Sequence, residues 1–243
     1  MPATLTPQLD PSSSGEHHVG LDGPSGSTKA SVIKQETALG RPEGEWANAL
    51  THGLATVATF GLGTWMIVEA MPMSVGLAVA CFVYALSVAA TFSASTTSHV
   101  LTQQPMLDRA RAWDQAMIYA MISGTYTPVI YRFAPDAVRM PLLITLWVVT
   151  FAGILAKLVM HHRINNVATI TYLLLGWIPA IPMFPHVPLG LGLGMALGGV
   201  VYSLAVIALV NDHRARYLHA LWHVLVMAAA YCHFATIWRY VLV

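Results

Sequence analysis

Two histidines, His219 and His223, stand one helical turn apart in HALWHVLVMAAAYCHF, an otherwise apolar run near the C-terminus. At that spacing both imidazoles lie on one helix face. Ser95 and His99 repeat the spacing in SASTTSHVL, and Asp114 follows in RARAWDQAM. Three imidazoles from two helices, completed by a water, would make an open zinc site, although neutral imidazole also suits other first-row metals. Beside such an ion Asp114 could orient the water or take its proton, and Ser95 could donate a hydrogen bond to that water or to a substrate oxygen. The open position separates a catalytic zinc from a closed structural one. An H-x-x-x-H pair alone says little, because the Glu of the H-E-x-x-H motif is missing. Two histidines hydrogen-bonding at a membrane interface would look the same. The metal reading therefore depends on the elements that carry these residues.

Those elements are apolar. The 243 residues are 56% hydrophobic and only 9% charged, against roughly a quarter charged in soluble domains. From Trp46 onward, apolar runs of about 20 residues recur, each long enough to cross a hydrocarbon core about 30 Å thick. The chain reads as an all-α integral membrane bundle of seven transmembrane helices, near 46–68, 74–98, 112–131, 140–160, 167–185, 188–210 and 217–241. Pro179, Pro182 and Pro185 break the chain between the fifth and sixth, as a turn or a kink. Residues 1–44, rich in Ser, Gly, Pro and charge, read as a disordered tail without a signal-peptide core. Residues 45–243 are expected to form the seven-helix transmembrane, zinc-binding domain. His17 and His18 in the tail are not expected to hold a metal. A net charge of +1 gives no footprint for nucleic acid. Cys81 and Cys232, both inside spans, read as free thiols.

The basic residues set an orientation. With the tail in the cytoplasm, the inner side holds Lys29, Lys34, Arg41, Arg109, Arg111, Lys157, Arg163, Arg214 and Arg216, and the outer side only Arg132, Arg139 and Arg239. Without the tail the bias is still six to three. That topology brings His99, Asp114, His219 and His223 to the cytoplasmic level, joined by Glu45, Asn48, Thr51 and His52 of EWANALTH. Intramembrane polar groups usually face a bundle interior and carry function. His233, ten residues beyond His223, lies about 15 Å further along a helix. It cannot share the ion, and a hydrogen bond to a neighbouring helix is expected instead. His161, His162 and His213 are expected on headgroup-facing loops. Gly190, Gly194 and Gly198, at i, i+4 and i+8, are expected to seat a neighbouring helix closely.

Taken in order, EWANALTH, SASTTSH, WDQAMIYAMISGTYTP, TYLLLGWIP and HALWHVLVMAAAYCHF resemble the hemolysin III family, prokaryotic relatives of the progestin and adipoQ receptors, which include the adiponectin receptors. The resemblance covers residues 43–243. It implies seven helices with a cytoplasmic N-terminus, a zinc held by His99, His219 and His223, and Asp114 and Ser95 reaching the zinc-bound water. Adiponectin-receptor relatives look like zinc-dependent ceramide amidases, and the hemolysin name reflects cytolysis attributed to some bacterial members. Ser98 stands where an aromatic residue is common, and Leu204 where glycine is common; both departures are expected to reshape a substrate pocket.

Two readings of function follow. One is a zinc-dependent hydrolase of lipid amides or esters at the cytoplasmic face of the cell membrane, in a bacterium the inner one. The other is a non-enzymatic homeostasis or receptor-like protein whose zinc pins the second helix to the seventh. A cytolysin is a third, weaker reading, since the spans lack a polar stripe of full bilayer depth. The expected partners are the bilayer and a lipid substrate; the oligomeric state is not legible.

Overall fold

The computed structural model describes residues 42–160, 165–215 and 217–243. The expectations for the tail up to residue 41 and for His161 and His162 lie outside the described residues, as does the side chain of His213. Within them the chain is helical, with no strand. The long helices are α1 Pro42–Ala70, α2 Val75–Val100, α3 Met106–Phe133, α4 Asp136–Met160, α5 Asn165–Trp177, α6 Leu189–Val210 and α7 Leu218–Ile237. Helix α1 begins at Pro42, so residues 42–44 are helical where the sequence reading had placed tail; proline is well suited to a first helical position, where its missing N–H would have no partner anyway.

The proline-rich break is a turn after Trp177, one helical turn Ala180–Met183 and a 3₁₀ turn Phe184–His186. Each proline removes a backbone donor, so an apolar run that would otherwise continue as one helix stops and restarts. A further 3₁₀ turn, Asp212–Arg214, precedes α7, whose last residues Trp238–Leu242 widen into a π turn.

Each long helix packs against the next, α7 returns against α1, and α3 touches α2, α4, α5 and α7. Helix α3 is thus the interior one. Among the described residues, six helical segments are long and apolar enough to cross a bilayer: Gly44–Ala70, Val75–Val100, Asp136–Val159, Ala168–His186, Leu189–Val210 and Leu218–Leu242. Helix α3 has the length, at 28 residues, but is more polar, with Asp108, Arg109, Arg111, Asp114 and Arg132. Its neighbours explain how it tolerates this. From Ala116 to Ile130 most of its residues are buried, among them Ser123, Thr125 and Thr127.

Two of those hydroxyls are interhelical links, whereas Thr125 donates to the carbonyl of Met121 in its own helix. Ser123 bonds Thr150 of α4, Trp147 Nε1 donates to Thr127 at 3.2 Å, and Tyr119 meets Thr171 of α5 at 2.6 Å. Tyr172 of α5 donates back to the carbonyl of Gln115 at 2.7 Å. In lipid such bonds and close packing hold helices together, because burying apolar surface against apolar solvent contributes little.

Small residues do the same for α6 and α7. A methyl group added at Gly194 would lie 2.4 Å from Thr236 Oγ1, and one at Gly198 would lie 2.2 Å from His233 Nε2. Gly190 meets the Tyr240 ring in the same way. The glycine repeat therefore seats α7, as its spacing predicts. Cys81 and Cys232 are free thiols.

Candidate metal centre

Helices α2 and α7 bring His99, His219 and His223 together at one end of the bundle. Their ring centroids form a nearly equilateral triangle, with sides of 5.2, 4.9 and 4.9 Å. One ligand atom from each lies within 4.8 Å of the others.

The other nitrogen of each ring is engaged. His99 Nδ1 is 2.6 Å from Glu45 Oε2, and His219 Nδ1 is 3.1 Å from Asp212 Oδ2. His223 Nδ1 is 3.3 Å from Thr51 Oγ1. Thr51 donates its only proton to the carbonyl of Asn48 at 2.9 Å, so it accepts from His223 rather than donating to it. Carboxylates also only accept. All three rings therefore carry their proton on Nδ1 and present the lone pair of Nε2 inward. All three Nε2 atoms are buried without a protein partner.

Buried polar atoms are rarely left unpaired, and three converging on one point call for a shared partner. An imidazole fixed through its far nitrogen by a carboxylate or hydroxyl is the usual support of a metal ligand. One metal cation can satisfy all three lone pairs at once. The donor set suits zinc and other divalent first-row ions.

Helices α1 and α3 complete the site. His52 stacks on His223, with centroids 3.7 Å apart and planes 7° from parallel. Ser98, beside His99 in sequence, donates to Asp114 Oδ2 at 3.0 Å. Ser95 is 1% exposed, and its hydroxyl has no protein partner. Ser95, Asp114 and His52 lie on the wall of a cavity of about 360 Å³ that runs between α3, α5, α6 and α7. Beyond them its walls are mostly apolar, with Met121, Ile122, Val129, Leu191, Met195 and Val206. The size and lining suit a small apolar ligand or one chain of a larger one.

The sequence reading named the three histidines, Asp114 and Ser95, and these converge on this end of the bundle. His233 does not join them: its Nε2 lies 3.0 Å from the carbonyl of Met195 on α6, an interhelical bond as expected. One expectation needs correction. Neither Ser98 nor Leu204 lines the cavity. Ser98 is buried and turned to Asp114, and Leu204 is half exposed on the outer surface of α6. The reading left Glu45, Thr51 and His52 without roles and overlooked Asp212. Asp212 sits seven residues before His219, outside α7, in the 3₁₀ turn that precedes that helix. An acidic residue in the turn ahead of a candidate ligand is the only signal that pointed to it.

Comparison with known proteins agrees with this architecture. Residues 41–234 match the family model described as haemolysin-III related. The chain is 28% identical over 202 residues to Hemolysin-3 of Bacillus cereus, covering 82% of this chain and 92% of that protein. A Hemolysin-3 homolog of Bacillus subtilis is 27% identical over 190 residues, or 76% of this chain and 89% of that one. The human monocyte to macrophage differentiation factor is 26% identical over 169 residues, 67% of this chain and 70% of its own. No solved structure matches. With the family model spanning most of its length and its apolar helices in place, the chain belongs to the haemolysin-III-related family of multi-pass cell-membrane proteins.

Proposed function

We propose that the chain is a zinc-dependent hydrolase of lipid amides or esters, with its site at the cytoplasmic end of a seven-span bundle. The observation that carries this reading is the set of three inward-facing, unpartnered Nε2 atoms beside Ser95, Asp114 and an apolar cavity. His99, His219 and His223 would hold the zinc ion, which when bound would supply a Lewis acid and make water at the site easier to deprotonate. Asp114 is the general base. Ser98 occupies its Oδ2, which leaves Oδ1 to take the proton of the attacking water and return it to the leaving nitrogen or oxygen. The carbonyl carbon gains the water oxygen and loses its bond to nitrogen or oxygen, giving a fatty acid and an amine or alcohol. Ser95 hydrogen-bonds the reacting oxygen, and the cavity takes the acyl chain.

A second reading has its own support. Helix α2 makes no extensive packing with α7, so a metal bridging His99 to His219 and His223 would act as a brace between them. The two readings part at Asp114, which a brace does not need. Asp114→Asn keeps shape and hydrogen bonding but removes the base. Hydrolysis is expected to slow by about 10²–10⁴-fold with zinc retained, measured as fatty-acid release from ceramide and phospholipids by purified protein. Absence of turnover in the wild type, together with full complementation of a deletion strain by Asp114→Asn, would leave the brace. The names of the bacillar relatives raise cytolysis as a third reading, which lysis of erythrocytes by purified protein would reveal.

The orientation is tested by impermeant labelling of single cysteines at Ser12 and after Val243, in a chain lacking Cys81 and Cys232. Opposite labelling is expected; equal labelling would mean an even number of spans.

A further inference from the structure

His52 of α1 is 2% exposed, and neither of its ring nitrogens has a protein partner. One face of the ring is covered by His223, and Phe92 and Trp222 flank it at 5.0 and 6.3 Å between centroids. For packing alone a phenyl ring would serve, without two polar atoms left unpaired among aromatic neighbours. The ligand triad does not include it. It does lie on the cavity wall with Ser95 and Asp114. Ser95 and His233 also bring a buried, unpartnered polar atom to that wall, but Nδ1 of His233 is a lone pair, since its Nε2 carries the proton given to Met195, and only Ser95 adds a donor. Neutral imidazole offers one N–H, and a serine hydroxyl offers one O–H. Two donors with no partner within 3.5 Å thus sit where the apolar cavity meets the histidine triad, which is where the acyl carbonyl of a lipid chain filling that cavity would come to rest.

We propose that His52 is a ligand-contacting residue that, with Ser95, holds the acyl carbonyl oxygen of the lipid by hydrogen bonding. His52 thereby has two functions on one ring: its face steadies His223, and its edge grips the ligand. The inference rests on the reading of the cavity as an acyl-lipid site, but not on turnover. Donors placed to meet a carbonyl also meet the charge that grows on it during hydrolysis, so a rate effect accompanies the binding effect in an active enzyme.

The substitutions His52→Phe and His52→Gln separate the two functions. Phenylalanine keeps an aromatic face against His223 and removes the nitrogens; glutamine keeps an N–H and loses the ring. The full chain, purified in detergent, is titrated with palmitic acid by calorimetry, and its zinc is counted by elemental analysis. His52→Phe is expected to keep about one zinc per chain and to bind palmitic acid about tenfold more weakly than the wild type. His52→Gln is expected to recover part of that binding. Where the wild type hydrolyses lipid, kcat should fall more than KM rises in His52→Phe. Wild-type affinity in His52→Phe would overturn the proposal and leave His52 a stacking partner only. Loss of zinc in both variants would overturn it equally, as would a wild type that binds no palmitic acid. Binding that depends on His52 in a wild type without turnover would sustain the proposal while removing the hydrolase reading.

Discussion

His223 and His233 share helix α7, lie ten residues apart and are almost equally buried, at 0% and 7% exposure. Their surroundings set them to opposite work. His223 gives its Nδ1 proton to Thr51 and turns Nε2 toward two other imidazoles. His233 is the reverse: a carbonyl only accepts, so Nε2 carries the proton and donates to Met195. The ring sits in the notch left by Gly198, beside Tyr202 at 5.5 Å. The first histidine is held so that a lone pair stays exposed to its neighbours, whereas the second uses its proton to join two helices. Burial does not tell a ligand from a strut; what occupies the far nitrogen, and what else faces the near one, does.

The comparison is sharpest in metal content. His223→Ala should lose most of the bound zinc and His233→Ala should keep it, measured per chain on purified protein. Equal retention would erase the distinction. A smaller effect is expected from the groups that orient the ligands. Glu45→Gln weakens the acceptor on His99, and Thr51→Val removes the one on His223. Each should weaken zinc affinity by about 10–100-fold without abolishing it, as read by competition with a chelator. An unchanged affinity in both would mean that packing alone aims the rings.

The smallest effect belongs to the seam. Gly198→Ala forces a methyl group to within 2.2 Å of His233 Nε2, and overpacking of this kind costs about 1–3 kcal/mol. The thermal midpoint in detergent should fall while zinc content holds. Combining it with His233→Ala should restore part of the loss, since the clash needs both partners.

These differences also mark what the sequence could reveal. The i, i+4 pairs, the glycine repeat and the proline break are local, and each led to the element that forms. Helix α3 is more instructive. Hydropathy undervalues it because Asp114, Ser123, Thr125 and Thr127 face other helices rather than lipid. It qualifies as an interior helix only once its neighbours are known. The candidate ligand histidines were legible because the i, i+4 spacing of His219 and His223 is helical and the expected span order brings His99 to the same level. The stack of His52 on His223, and the bonds of Glu45 and Asp212 to their histidines, join residues 171, 54 and 7 apart in the chain. Such pairings depend on how helices rotate against one another, and no periodicity in a single strand of sequence records that.

The central claim is that three Nε2 atoms converge to hold one zinc ion. Zinc-edge X-ray absorption on the purified wild-type chain tests it without any assumption about substrate. The account predicts about one zinc per chain with imidazole-type nitrogen neighbours at about 2.0–2.1 Å and no sulfur. Protein purified without stoichiometric metal, or a spectrum dominated by sulfur at about 2.3 Å, would contradict it.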